Sequence, residues 1–400
     1  LNRSVNAAAT EPPNPMPAGP APTAAVKTTI VPFTKEQVAA VRDLNTRLRE
    51  QGVTYQFPED PVADWLPRVD DLPLYHEYFV AVEAESTTVR GGYIYKQQEF
   101  AIAGDVHAVG FFRLPLSEGS YDKRFATLAA QFLLHALKKN PRLYSLGIGG
   151  YDEPLAKMEA AVGWTQWTVP FLFRIEHAFA FLRHIRHLRR KTSRRLVLDL
   201  LAWSGLGFVG LKLFRLWQRA TGQTSGRVPN YSLEPTFGPW ADDVWNAARP
   251  EYSLIAIRTS QTLARLFPVE DRRYQRLKVT DGGGRVVGWA VVLNTPHRNH
   301  KHFGDMRLGS LVDFLAVPGH EPEVVAAATD HLQRGGVDLI VVNTPHQDWL
   351  AALRRGGYLS GPSNFIFSAS KKLIELLQPF DEKKHRLHWT RGDGDGPIHL

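Results

Sequence analysis

Between Leu308 and Phe367 the chain runs strand, helix, strand, helix, strand, and a second stretch, Gly110 to Phe173, runs through the same series. In the later stretch, the apolar run Leu311-Val312-Asp313-Phe314-Leu315-Ala316-Val317 closes on Pro318-Gly319, a turn pair. Val324, Val325, Ala328 and Leu332 then recur at helical spacing until Gly335-Gly336. Asp338 to Val342 reads as a strand buried on both faces, and Thr344-Pro345 opens a helix with Trp349, Leu350 and Leu353 on one side. Gly356-Gly357 caps it, and Phe365-Ile366-Phe367 begins a last strand.

The earlier stretch repeats the plan. A strand at Gly110 to Leu116 precedes an amphipathic helix at Tyr121 to Lys139, ended by Asn140-Pro141. Leu143 to Ile148 is a strand, and the next helix carries Leu155, Met158 and Val162 on its apolar side. Phe171-Leu172-Phe173 begins its closing strand. Gly163 to Phe171 and Gly357 to Phe365 are each eight residues, and an aromatic residue, Trp164 or Tyr358, follows each capping glycine. A period of this kind decides the fold class, because each copy is one folding unit.

This order, with the glycine–aromatic pair after the second helix, resembles the acetyltransferase fold of the GNAT superfamily. Two copies in one chain resemble the tandem-GNAT or FemAB-like acyltransferases of bacterial cell-surface polysaccharide and peptidoglycan pathways. The likeness covers about residues 30–175 and 235–375. It implies an α/β chain with mixed sheets: a tail (1–29), a first GNAT-like domain (30–175), a basic and apolar helical linker (176–234), a second GNAT-like domain (235–380) and a C-terminal tail (381–400).

The rest of the chain fits that plan. Leu1 to Val26 is rich in Ala and Pro and reads as a disordered tail without the basic start and apolar core of a secretory signal. Thr34 and Gln37 form a capping box ahead of a helix lined by Val38, Val41, Leu44 and Leu48. Strands are expected at His76 to Ala84, Gly91 to Ala103 and His107 to Leu116, the antiparallel start of a GNAT domain by resemblance. Trp240 to Phe267 reads as mainly helical, and Tyr274 to Thr280 and Arg285 to Leu293 as a hairpin turning at Asp281-Gly282-Gly283.

The absence of cysteine excludes disulfides, thiolate metal sites and a cysteine nucleophile, and fits a reducing compartment. The net charge is +8, and seven basic residues without an acid lie between Arg183 and Arg195. The remainder is near neutral, so no nucleic-acid surface is expected. The apolar run Leu200 to Leu211 is too short and too glycine-rich to span a bilayer. With the basic stretch it reads either as a buried linker or as an interfacial anchor on an anionic membrane surface. His297, His300 and His302 share a polar loop with Arg298 and Lys301 and read as solvated, so no metal is expected.

The resemblance also directs attention to particular residues. GNAT enzymes hold acyl-CoA where the fourth and fifth strands part, with pantetheine on the backbone of the fourth strand and pyrophosphate on the following loop. Free N–H groups and the dipole at a helix start make such a loop an anion site. The first copy offers Leu114 and Leu116 on the strand and Ser117, Gly119 and Ser120 in the loop, though without the family's leading Arg or Gln. The second offers Pro318, Gly319 and Glu321, with an acid where phosphate should sit. Neither copy has the family's tyrosine just before the glycine–aromatic pair, and Tyr151 is the substitute considered. Asp313, a lone acid in an apolar strand, is the first candidate base, or else the partner of an interface arginine. Glu118 is the second. Residues 389–395 read as a disordered end, or as a segment whose two acids fold back over an acceptor site.

The function expected is transfer of an acyl group, acetyl or another, from acyl-CoA to the nitrogen or oxygen of a sugar or cell-envelope polysaccharide precursor. The enzyme would be cytoplasmic or peripheral at the inner membrane. The alternatives are a FemAB-like transferase using aminoacyl-tRNA and a degenerate GNAT scaffold.

Overall fold

A computed structural model describes residues 26–69, 72–84, 86–184, 230–300 and 303–394. Most of the basic stretch Arg183–Arg195 and all of Leu200–Leu211, on which the membrane expectation rests, lie outside these residues, as do the first 25 and the last six.

The first half builds an antiparallel meander of β1 (Thr28–Pro32), β2 (Tyr75–Glu83), β3 (Val89–Ile102) and β4 (Asp105–Ser117). The Thr34–Gln37 box forms as expected, with Gln37 Oε1 accepting from the Thr34 N–H at 2.8 Å, and α1 (Val38–Glu50) follows. The buried stripe Val41, Leu44 and Leu48 lays α1 on one face of the sheet, against Val80, Ile94 and Leu116. On the other face, α2 (Leu128–Lys139) packs Phe132, Leu133 and Ala136 on Phe79, Tyr93 and Phe112. β5 (Leu143–Leu146) is parallel to β4, and α3 (Pro154–Ala161) leads to β6 (Thr165–Thr168).

α2 begins at Leu128, not near Tyr121. Two short 3-10 turns, Glu118–Ser120 and Lys123–Phe125, fill the gap, with Asp122 capping the second through the Arg124 N–H. On α3, Leu155 and Met158 pack against the core as expected, but the fully buried residues are Ala156 and Glu159, and Val162 is exposed.

The main departure is an exchange of strands. Phe171–Ile175 (β7), followed by the short helix α4 (Ala178–His184), does not close the first sheet. It lies antiparallel between β13 (Leu339–Asn343) and β14 (Leu359–Gly361) of the second sheet. In return β15 (Ile366–Ala369) lies antiparallel between β5 and β6 of the first. Each repeat gives the other one strand, so sheet membership does not follow the boundaries 30–175 and 235–380. Such reciprocal exchange of an equivalent element is the intramolecular form of a domain swap.

The second sheet runs β14-β7-β13-β12-β11-β10-β8, with β8 at Asn230–Glu234, β10 at Gln275–Thr280, β11 at Val286–Pro296 and β12 at Arg307–Ala316. α7 (Glu321–Arg334) and α8 (Gln347–Arg355) bury Val324, Val325, Leu332, Trp349 and Leu353. The expected helical stretch Trp240–Phe267 instead holds α5 (Trp240–Ala248), α6 (Ser260–Leu266) and, between them, β9 (Leu254–Ala256). β9 pairs with β3 at Phe100 to Ile102, beyond Gln97 where the β2 pairing ends. Three consecutive apolar residues cannot distinguish a buried strand from a helix segment by periodicity alone.

The chain ends in α9 (Lys371–Leu376), α10 (Phe380–Lys383) and an extended return that is not a solvated tail. Leu387, His388, Trp389, Thr390 and Asp393 are all 0% exposed. The largest core joins the lobes, bringing Leu66, Leu74, Ala101 and Leu172 from the first half onto Trp289, Phe314 and Trp349 of the second. Trp65 Nε1 donates to the Leu266 carbonyl at 3.0 Å, and Arg265 Nη2 to the Pro67 carbonyl at 2.7 Å.

Candidate functional site

Each lobe contains a fork where two parallel strands part. β5 pairs with β4 only at Gly110 and Phe111, while β4 continues to Ser117. β13 pairs with β12 only at Leu308, Gly309 and Ser310, while β12 continues to Ala316. Beyond each fork a strand edge can take a ligand's polar groups as it would take another strand. The two forks differ in what fills them. Arg113, Leu114 and Pro115 are partly exposed, whereas every residue from Leu311 to Ala316 is buried.

The first fork has a distinct backbone. Leu114 has φ +49°, and the β3–β4 register shifts between Gly92 and Ile94, so β4 bulges just past the fork. A non-glycine residue in this region costs about 1–3 kcal/mol and is enriched at functional sites. A bulge re-aims the following edge.

The first side chain on β5 past the last paired position is Ser145. Its Oγ lies 3.0 Å from the Phe112 carbonyl oxygen and 2.5 Å from Glu159 Oε1. One hydroxyl has one proton. If Ser145 donates to the carbonyl, Glu159 must carry the proton of the shorter bond. Its acidity agrees: burial raises the Glu159 pKa to about 7, partly offset by the hydroxyls of Ser145 and Ser368. Ser368 belongs to the exchanged strand β15 and is in register with Ser145, so Glu159 lies where both halves of the chain meet. The sequence contained a signal for Glu159, which stands four residues after Leu155 and so at an apolar position of α3.

The second fork is occupied by the returning C-terminal segment. Arg258 Nε donates to Asp313 Oδ2 at 2.8 Å, and its Nη2 donates to Asp393 Oδ1. Thr390 Oγ lies 3.2 Å from both Asp313 Oδ1 and Asp393 Oδ2. From the first lobe, Lys96 Nζ and the Tyr144 hydroxyl donate to the Asp393 backbone carbonyl at 2.7 and 2.9 Å. His388 Nε2 lies 2.9 Å from the Phe314 carbonyl oxygen, and its ring meets Tyr252, which in turn meets His346. Burial raises Asp313 above the ordinary carboxylate range, with Arg258 opposing it. For Asp393 burial also pushes upward, but the Arg258 guanidinium prevails and holds it low. Burial lowers His346 and His388 to about 4, so both are neutral near pH 7.

The expected catalytic residues stand in three separate places. Asp313 is sealed inside the ion cluster and has the arginine partner that was the alternative to a base role. Glu118 is buried between Arg47, at 2.6 Å, and Arg90, at 3.0 Å, so both carboxylate oxygens are engaged. Tyr151 is exposed, and its hydroxyl lies 2.8 Å from Thr168 Oγ on β6, two strands from β5. Each of the three thus already has a hydrogen-bond or ion-pair partner.

Of the expected cofactor-binding residues, Leu114, Leu116 and Ser117 lie on β4 past the fork, with Leu116 buried against α1. Gly119 has a packing role: a Cβ there would lie 2.3 Å from the Phe125 carbonyl oxygen. Ser120 Oγ donates to the Ser117 carbonyl at 3.2 Å. These residues do not head α2, which starts eight positions after Ser120. In the second lobe, Glu321 is buried at the start of α7, the place its sequence position suggested. His297 and His300 lie between β11 and β12, and His302 is outside the described residues. No group of His, Asp and Glu side chains suited to a metal occurs among the described residues. No helix among them is long and apolar enough to cross a membrane.

No protein-family model and no curated protein sequence matches the chain. Solved structures do match. Saccharomyces cerevisiae N-myristoyltransferase, solved with bound myristoyl-CoA, superposes with a TM-score of 0.51 at 10% identity, over 88% of this chain and 81% of that one. A conserved Enterococcus faecalis V583 protein of unknown function, described as a probable N-acyltransferase, gives 0.50 at 10% identity, over 88% and 74%. At this identity the likeness is one of fold. The chain folds as two GNAT-type lobes in tandem, as the repeat in its sequence implied.

Proposed function

We propose that the protein is an acyl-CoA-dependent acyltransferase whose donor site is the fork between β4 and β5. The observation that carries this reading is the contrast between forks: one strand edge is bulged and partly open, its counterpart filled by the chain's own end. The likeness to an enzyme solved with bound myristoyl-CoA supports the same reading. Pantetheine would pair with the backbone of Leu114, Leu116 and Ser117 as an added strand. An acceptor amine or hydroxyl would attack the thioester carbonyl, the C–S bond would break, and the departing thiolate would take a proton. Ser145, kept in a proton-bearing pair by Glu159, stands where β4 and β5 part and is the group proposed to serve that end of the reaction. Asp313, Glu118 and Tyr151 are proposed to hold the architecture around it.

The acceptor proposed is an amino sugar or sugar hydroxyl of a cell-envelope precursor, and the acyl group acetyl or longer. Release of free thiol from acyl-CoAs of increasing chain length, against a panel of amino-sugar and nucleotide-sugar acceptors, tests both. Calorimetry that finds no binding of any acyl-CoA overturns the donor assignment. The basic stretch Arg183–Arg195 and the apolar run Leu200–Leu211 are proposed to rest on an anionic inner-membrane surface, where each basic residue can contribute about 1 kcal/mol. Co-sedimentation with anionic vesicles that weakens in high salt is the expected result, and none at low salt refutes it.

A further inference from the structure

We infer that Arg391 binds an anionic group, a phosphate or a carboxylate, of a ligand that enters between the lobes. The segment that carries it is anchored from both sides. His388 and Thr390 are held by β12, the Asp393 carboxylate by Arg258, and the Asp393 carbonyl by Lys96 and Tyr144. A capping box between Thr390 and Asp393 closes the turn around Arg391. The turn therefore has a fixed position, and its flanking charges have partners.

Arg391 is the exception. Its side chain is partly buried, its Nε is sealed from water with no hydrogen-bond acceptor, and it forms no ion pair among the described residues. Burial lowers its pKa to about 10, with no carboxylate opposing the shift. The carboxylates of the nearby cluster do not compensate it. Arg258 already engages both Asp313 and Asp393. Sealing an arginine nitrogen from water without an acceptor is costly, and such groups are commonly paired or used. The planar fork of arginine is suited to a phosphate or carboxylate.

The turn itself lies near the open fork. A Cβ on Gly394, which closes this turn, would lie 3.7 Å from the Arg391 carbonyl oxygen and 3.8 Å from Leu146 Cδ2. Leu146 ends β5, one arm of the open fork. The turn that carries Arg391 therefore stands beside the proposed donor site. Two sources share that chemistry: the phosphates of the acyl-CoA and an anionic group on the acceptor. The inference rests on the acyltransferase reading for which molecule carries the anion, and on the chain's own residues for the anion itself.

The test uses the full chain as wild type, Arg391→Met and Arg391→Lys. Melting is followed in inorganic phosphate and in chloride at equal ionic strength, and binding of acetyl-CoA and of S-acetylpantetheine, which has no phosphate, by calorimetry. Phosphate should raise the melting temperature of wild type and Arg391→Lys by more than that of Arg391→Met, which reports only the general salt effect. If the anion belongs to the donor, acetyl-CoA binds about ten- to a hundredfold more weakly to Arg391→Met while S-acetylpantetheine is unaffected. If it belongs to the acceptor, acetyl-CoA binding is unchanged and only the phosphate response is lost. Equal phosphate response and equal acetyl-CoA affinity in wild type and Arg391→Met overturn the inference. A phosphate response that depends on Arg391 in a protein that binds no acyl-CoA upholds it and removes the acyltransferase reading instead.

Discussion

Glu159 shows how one side chain can serve stability and site chemistry in opposite senses. Its pKa in the folded chain is about 7 against an ordinary 4.5. The folded state therefore binds a proton that the unfolded state has lost between those values. The stability tied to this group is complete below about pH 4.5 and is lost as pH rises through about 7, a change of about 3 kcal/mol at most. Glu159→Gln, which keeps the hydrogen bond and cannot ionise, should match wild type near pH 5 and melt at a higher temperature than wild type at pH 8.5. Denaturant titrations at the two pH values check this, and an equal difference at both would contradict the protonated pair. The Arg258 cluster gives the second residue-scale prediction. Asp393→Ala leaves a buried guanidinium with one carboxylate fewer and the Thr390 N–H and hydroxyl without their Asp393 acceptor. It should cost about 3–5 kcal/mol in urea unfolding. A cost below about 1 kcal/mol, the size of a surface pair, would mean that the segment is not held as described.

At the scale of elements, the exchange of β7 and β15 matters most. Each strand is short and apolar, five and four residues, and completes a sheet begun by the other repeat. Neither half has a complete sheet by itself. Two polypeptides divided within residues 185–229 should be recovered as a one-to-one complex when co-expressed, and neither should fold when expressed alone. Two independently folded monomers in size-exclusion chromatography and circular dichroism would contradict the exchange. This also marks where the sequence was legible and where it was not. The five-element repeat, the Thr34–Gln37 box and the β10–β11 hairpin could be read because each is specified by neighbours along the chain. The partners of Phe171–Phe173 and Phe365–Phe367 could not. An apolar strand fits either of two equivalent sheets, and the choice is made by contacts between residues nearly 200 positions apart. β9 was hidden for a related reason, being three apolar residues between two helices. The place of Leu114, Leu116 and Ser117 on the fourth strand, past the fork, followed from strand order. The meaning of Asp313 and Glu118 depended on Arg258, Arg47 and Arg90, whose proximity no local spacing reveals. Glu159 was visible as an acid at an apolar helical position, but its partner Ser145 comes from a strand fourteen residues earlier.

For the whole molecule, the two repeats have diverged by what occupies their forks. The second is filled by residues 387–393, which tie β12 to β3 and β5 through Asp393. The first keeps a bulged strand edge in partial contact with solvent. One lobe thus keeps the open edge proposed for the thioester donor, while the other is packed at the equivalent place. Hydrogen exchange read by mass spectrometry, with and without acetyl-CoA or a longer acyl-CoA, tests this division directly. Slowed exchange is predicted in peptides covering Phe112 to Ser117 and Leu146 to Gly150, with peptides covering Leu311 to Ala316 unchanged. Protection confined to the second fork, or none in either lobe at saturating acyl-CoA, would contradict the account.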